Sequence, residues 1–242
     1  QGLATVGGVA WAMVLLVAVL VPAVRGGARA AAVCVPLAAA VAAPTLVAIG
    51  GWNRKSLAAI VGTLSGVVAA SLLSVAFVHA MHLTGLEADF GPYEHMDNRL
   101  WFATGLRRVD FGSLLVAGML LAGLGAVMDV SMAVASTVAE VRRAVPGASG
   151  GRLFRPGLAA GRDIIGVMVF TLALVFVGGE LMFFVSVGQT GWAERWLLLA
   201  NYEELAAELV RVAAAGLGMA VCVPVSAGAA ALLHRGSEKG TP

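Results

Sequence analysis

The stretch Phe111–Ala144 reads FGSLLVAGMLLAGLGAVMDVSMAVASTVAEVRRA. Between residues 111 and 139 its only ionisable side chain is Asp129. The apolar residues run on without alternation and are rich in Ala, Leu and Gly. That pattern fits a helix and not a strand. A helix needs about 20 residues to cross the hydrocarbon core of a bilayer, and this run is longer.

The rest of the chain repeats the signal. Of 242 residues, 60% are hydrophobic and 12% are charged. A soluble domain is typically about 45–50% apolar and about 25% charged. Comparable runs lie at about 3–24, 30–50, 57–81, 163–187 and 205–233. With 111–144 they predict an all-α fold: one polytopic membrane domain of about six transmembrane helices. Some of these should be broken or kinked, because Pro36, Pro44 and Pro224 fall inside them and membrane helices tolerate such interruptions. Residues 84–110 are polar and carry Tyr93, Trp101 and Phe102, which suits a segment lying at the interface. Residues 142–162 read as a basic loop, punctuated by Pro146, Gly150, Gly151 and Pro156.

A net charge of +2 argues against nucleic acid as a partner; the expected partner is the lipid bilayer. Cys34 and Cys222 lie in apolar runs and form neither a disulfide framework nor a metal spacing. His79 and His82 have no acidic or cysteine partner at useful spacing, so no metal site is expected, and no pattern names a cofactor. The first apolar run has no basic flank before it and no cleavage pattern after it, so it reads as a spanning helix and not a signal peptide. Because the chain opens on Gln1, a preceding segment is expected.

Lys and Arg crowd the segment 142–162, at Arg142, Arg143, Arg152, Arg155 and Arg162. The positive-inside rule assigns that segment to the cytoplasm. Alternation then puts Arg54, Lys55 and the C-terminus there too. Segments around residues 84–110 and 194–204 fall outside and carry more acid than base. Arg25 and Arg29 run against the rule.

Asp129 is the costliest residue, at roughly 2.5–3.5 kcal/mol for Asp at a membrane helix centre. A straight helix from Asp110 to Arg142 would reach about 48 Å, against about 30 Å of hydrocarbon. A break at Gly123-Leu124-Gly125 would resolve this, with Asp129 capping a second half-helix. Ser136 and Glu140 follow on the same helical face and extend a line of oxygens. The plainer alternative keeps Asp129 on a straight helix near its cytoplasmic end. Asp163, placed at the start of the fifth span, either complements the helix dipole or faces Asp129 across one cavity. Glu208 and Arg211, one helical step apart, pair with each other or contribute to a path.

Several of these segments together resemble the YibE/F family of bacterial membrane proteins. They are the stretch 123–140 with its GAVMDV core at Gly125–Val130, Gly161-Arg162-Asp163, Asn53-Arg54-Lys55-Ser56, and Glu208-x-x-Arg211 leading to Gly216-Leu217-Gly218. They occur in matching order over nearly the whole chain, which is similar to the C-terminal, YibF-like half. The resemblance implies a multi-pass protein of the bacterial plasma membrane, with the N-terminal half supplied by a preceding segment or by a partner membrane chain. A homo-oligomer is also compatible. It implies a transporter without naming its substrate. The chain departs from the family pattern at Phe170 and at Met132-Ala133-Val134-Ala135.

Three functions follow from these residues. The first is a transporter or permease for a small solute or ion, with Asp129, Ser136, Asp163, Arg211, Glu208 and Glu140 as candidate binding residues. The second is a membrane subunit or scaffold that packs small residues against a partner half. The third is an intramembrane aspartyl-type enzyme built on Asp129 and Asp163. No enzyme is expected, because glycine-flanked aspartyl, His-Glu-x-x-His and Gly-x-Ser-x-Gly signatures are all lacking. A transporter requires the polar residues to line one cavity. A scaffold leaves them apart, with a small-residue face turned outward.

Overall fold

The structure, a computed structural model, describes residues 2–85, 110–181, 184–185, 188 and 203–235. Every element among them is helical. In chain order these are α1 (Gly2–Leu15), a π-turn (Leu16–Leu20), α2 (Val21–Arg25), α3 (Ala30–Gly50), α4 (Arg54–Ala80), α5 (Phe111–Ala144), α6 (Gly150–Gly179) and α7 (Glu203–Arg235). Among the described residues, six helical spans are long and apolar enough to cross a membrane, with α1, the π-turn and α2 supplying the first. The chain is a multi-pass membrane protein.

Local sequence sets the ends and the bends. Pro22 has no N–H, and its ring crowds the carbonyl four residues earlier. The helix opens just before it, where Val21 N–H reaches back to the Leu16 carbonyl. Gly51, at φ +77°, turns the chain between α3 and α4, a conformation glycine adopts at no steric cost. Asn53 then caps α4: its Oδ1 accepts from the Ser56 N–H at 3.1 Å, and its Nδ2 donates to the Gly50 carbonyl at 2.6 Å. Asp110 caps α5 in the same way, through the Ser113 N–H at 3.2 Å.

The core is a three-helix packing of α4, α5 and α7. Glycine lets these backbones meet. A Cβ on Gly66 would lie 2.7 Å from Val127 Cγ1 and 2.8 Å from the Gly218 carbonyl oxygen, so α4 and α7 touch main chain to main chain. Gly62, at i−4, does the same against Ser226. Such small-residue contacts are how membrane helices gain van der Waals attraction when lipid is as apolar as leucine. On α6, Gly157 admits Val138 and Gly161 admits Val223. On the other flank α3 joins α5 through the Ala31 N–H, which donates to Ser113 Oγ at 3.0 Å.

Two sequence expectations need correction. The fourth span is not broken at Gly123-Leu124-Gly125: α5 is one continuous helix of 34 residues. Gly123 serves packing instead, its missing Cβ leaving room for Ala215 of α7. A glycine weakens a helix by only about 1 kcal/mol, whereas broken backbone hydrogen bonds in hydrocarbon cost several each. The loop read over 142–162 is also much shorter. It covers residues 145–149, and α6 starts at Gly150. Pro156 sits inside that helix and removes one bond, to the Arg152 carbonyl. Arg152 is exposed, so that group is not trapped. Beyond Gly179, Leu181, Phe184 and Val185 are again helical. The interfacial segment read over 84–110 lies, apart from Thr84, Gly85 and Asp110, outside the described residues, as does the tryptophan-bearing loop before Glu203.

Candidate functional site

α5 is surrounded on most of its circumference. Val130 and Val134 are buried against α6 and α7, Val138 against Gly157 of α6, and Val127 between α4 and α7, and Ser131 faces α4. One stripe remains open: Gly118, Ala122, Gly125, Asp129 and Glu140 are exposed, with Ala133 and Ser136 half-buried between them. Steps of three and four residues keep them on one face. A Cβ added to Gly118 or Gly125 would meet nothing within 4 Å.

Asp129 is deep. Ala139 lines the basic end of the bundle, beside Arg54 and Arg142. Ten residues of continuous helix separate the two, or about 15 Å. Another 18 residues, about 27 Å, lead from Asp129 back to Phe111. The carboxylate therefore stands on an outward face of α5, about 15 Å from the basic end and about 27 Å from Phe111. It does not cap a half-helix, since α5 has no break to cap. Asp129, Ser136 and Glu140 share one face, as their spacing predicts, and make no side-chain hydrogen bond or ion pair among the described residues.

Asp163 is placed differently from the sequence expectation. It stands inside α6, thirteen residues beyond Gly150, so it is too far from the helix N-terminus to gain from the dipole, which acts over the first turn. It is exposed. α6 runs antiparallel to α5, and Gly157 abuts Val134 and Val138. Six residues further on, Asp163 is within about a turn of the depth of Asp129. Neither aspartate lines the cavities described at the two ends of the bundle.

Glu208 and Arg211 do pair, as expected, by an ion pair across one turn of α7. They lie toward the opposite end of the bundle and open on a cavity of about 240 Å³ between α5, α6 and α7. Ala122 and Gly123 form its α5 wall, and Glu180 at the end of α6 joins it. Sequence reasoning missed Glu180, which carries no spacing signal toward Glu208 because it lies on another helix. It also missed the buried Thr63–Ser131 hydroxyl pair, at 2.7 Å, and Glu203, whose carboxylate accepts from the backbone of Thr84 and Gly85 and ties α7 to the end of α4. The six candidate residues thus form two groups: Asp129, Ser136, Glu140 and Asp163 on open faces, and Glu208 with Arg211 in a cavity. No cluster of three metal-ligating side chains gathers among the described residues.

A polytopic helical bundle with an acidic, small-residue face is the class of protein that the fold and these side chains define. The family model of the YibE/F-like proteins matches residues 1–236. The chain belongs to the YibE/F-like family. No curated protein and no solved structure matches it significantly.

Proposed function

We propose that this chain is a transporter of a small cation, protons included, in a bacterial plasma membrane, and that it works as a pair of copies meeting along the open face of α5. Its basic end, with Arg54, Arg142 and the C-terminus of α7, faces the cytoplasm. Within one copy the candidate residues do not line one cavity and the small-residue face turns outward, as in a scaffold; the transport reading rests on the exposed Asp129 in that face, which a second copy would enclose. Lipid is a poor solvent for a carboxylate, so this face calls for a polar covering. A two-fold interface must match itself. Gly118 and Gly125 do so, because small meets small.

Such a pairing brings two Asp129 side chains to the same depth near the axis. Two carboxylates in a low dielectric cannot both stay ionised without a proton or cation between them. The interface is thereby a cation site, and Ser136 and Glu140 extend it toward the basic end. Asp163, at similar depth on α6, adds a second negative charge near the path. The Glu208–Arg211 pair and Glu180 form the opposite mouth.

The test combines flux with cross-linking. Proton and cation flux is measured in sealed vesicles for the native protein and for Asp129→Asn. In parallel, Gly125→Cys is oxidised in a background with Cys34 and Cys222 replaced by Ser. Flux lost in Asp129→Asn, together with a disulfide-linked pair, is the expected result. Flux that depends on Asp129 without any linked pair would keep the transporter and assign the face to a different membrane chain. Unchanged flux in a folded Asp129→Asn protein would overturn the transport role.

A further inference from the structure

We infer that the basic end of the bundle holds a binding site for a phosphate group. The site is a cavity of about 340 Å³ where the start of α4 meets the ends of α5 and α7. That volume falls within the range of small-ligand pockets, about 300–1,000 Å³. Arg54, Lys55, Arg142, Arg143 and His234 line it, with Asn53 beside them. None of its described lining residues is acidic.

Helix-end capping accounts for only part of this charge. Arg54 donates from Nη1 to the Leu233 carbonyl at 3.0 Å, and Arg142 from Nη1 to the Ala148 carbonyl at 3.3 Å. The α5 and α7 carbonyl ends each present about half a negative charge, and the α4 N-terminus about half a positive one. The three full positive charges of Arg54, Lys55 and Arg143 by themselves exceed that demand. His234 supplies an independent sign of a ligand: its Nε2 is shielded from solvent and has no hydrogen-bond partner among the described residues. Capping fixes one Nη1 of Arg54 and leaves its other N–H groups to a ligand. Arginine forks and a lysine point charge are the groups that match phosphate oxygens. Basic pockets between membrane helices at the charged leaflet take anionic lipid headgroups by this chemistry, and a free phosphate ion would be bound by the same donors.

Two arms separate the sources. In the first, native mass spectrometry counts phosphatidylglycerol retained by the whole protein extracted from mixed phosphatidylcholine and phosphatidylglycerol vesicles. In the second, equilibrium dialysis measures inorganic phosphate on lipid-depleted protein in neutral detergent. The variants are Arg54→Gln with Arg143→Gln, and, as a control for general attraction, Arg152→Gln with Arg155→Gln on the exposed side of α6. The expected result is binding in at least one arm, weakened about tenfold or more in the first pair and little changed in the control. Phosphatidylglycerol alone assigns a lipid headgroup, and phosphate alone a soluble ligand. No binding in either arm, or equal loss in both pairs, would overturn the site. Should the first pair fail to accumulate, Arg143→Gln alone, at an exposed side chain, makes the same comparison.

Discussion

Thr63 of α4 and Ser131 of α5 share a 2.7 Å hydrogen bond between fully buried hydroxyls. Ser131 Oγ also donates to the Met128 carbonyl at 2.8 Å, so Thr63 is the donor of the pair. Thr63→Val keeps the branched shape and removes that donor, while Ser131 keeps its bond to Met128. Ser131→Ala removes the acceptor and leaves the Thr63 hydroxyl buried without it. Ser131→Ala is therefore the more damaging change. A double-mutant cycle of unfolding in mixed micelles should give a coupling of about 0.6 kcal/mol, and no more than about 1.7. A coupling of zero would mean that the two hydroxyls matter only as small groups.

Glycine has two distinct uses in this bundle, and alanine separates them. A methyl at Gly66 would collide with Val127 and the Gly218 carbonyl. Overpacking of this kind costs about 1–3 kcal/mol. A methyl at Gly118 would meet nothing and raises helix propensity by up to about 1 kcal/mol. In detergent that keeps the protein monomeric, Gly66→Ala should lower the unfolding midpoint and Gly118→Ala should leave it level or raise it. The reverse order would disprove the close contact of α4 with α7.

The helix caps give a similar contrast. Asn53 bonds the Ser56 N–H, whereas Ser149 precedes α6 without a side-chain cap bond. Asn53→Ala should cost about 1 kcal/mol, and Ser149→Ala almost nothing. Faster hydrogen exchange in the first turn of α4, with no change in α6, would confirm the assignment. Equal effects would refute it.

Much of this architecture can be read from the sequence, because a bilayer imposes one length and one polarity on every span. The second span matches at both ends, since Arg29 and Gly51-Trp52-Asn53 bracket it. Span five could not be read as well. Pro156 and four nearby glycines look like loop residues to any local rule, yet Gly157 and Gly161 are small because Val138 and Val223 press on them. The break expected at Gly123 fails for the same reason: its partner, Ala215, is 92 residues away. The face shared by Asp129, Ser136 and Glu140 follows from helical period alone and was legible. That it points outward depends on which sides α3, α6 and α7 cover, and no period carries that information.

Trp11 and Pro44 are linked through a carbonyl that neither of them owns. Pro44 has no N–H to give the Ala40 carbonyl, its partner four residues back in α3. The Trp11 indole N–H supplies the missing donor across the helix contact, at 3.1 Å. Trp11→Phe keeps an aromatic ring of smaller size and removes the donor, and the orphaned carbonyl then costs about 1 kcal/mol or more. Pro44→Ala restores a backbone N–H in place, so the carbonyl no longer depends on the indole. The penalty of Trp11→Phe should therefore shrink in a Pro44→Ala background, by the share that belongs to the hydrogen bond. Unfolding of the four proteins in mixed micelles measures this directly. A penalty that is the same in both backgrounds would show that Trp11 holds α1 to α3 by packing alone.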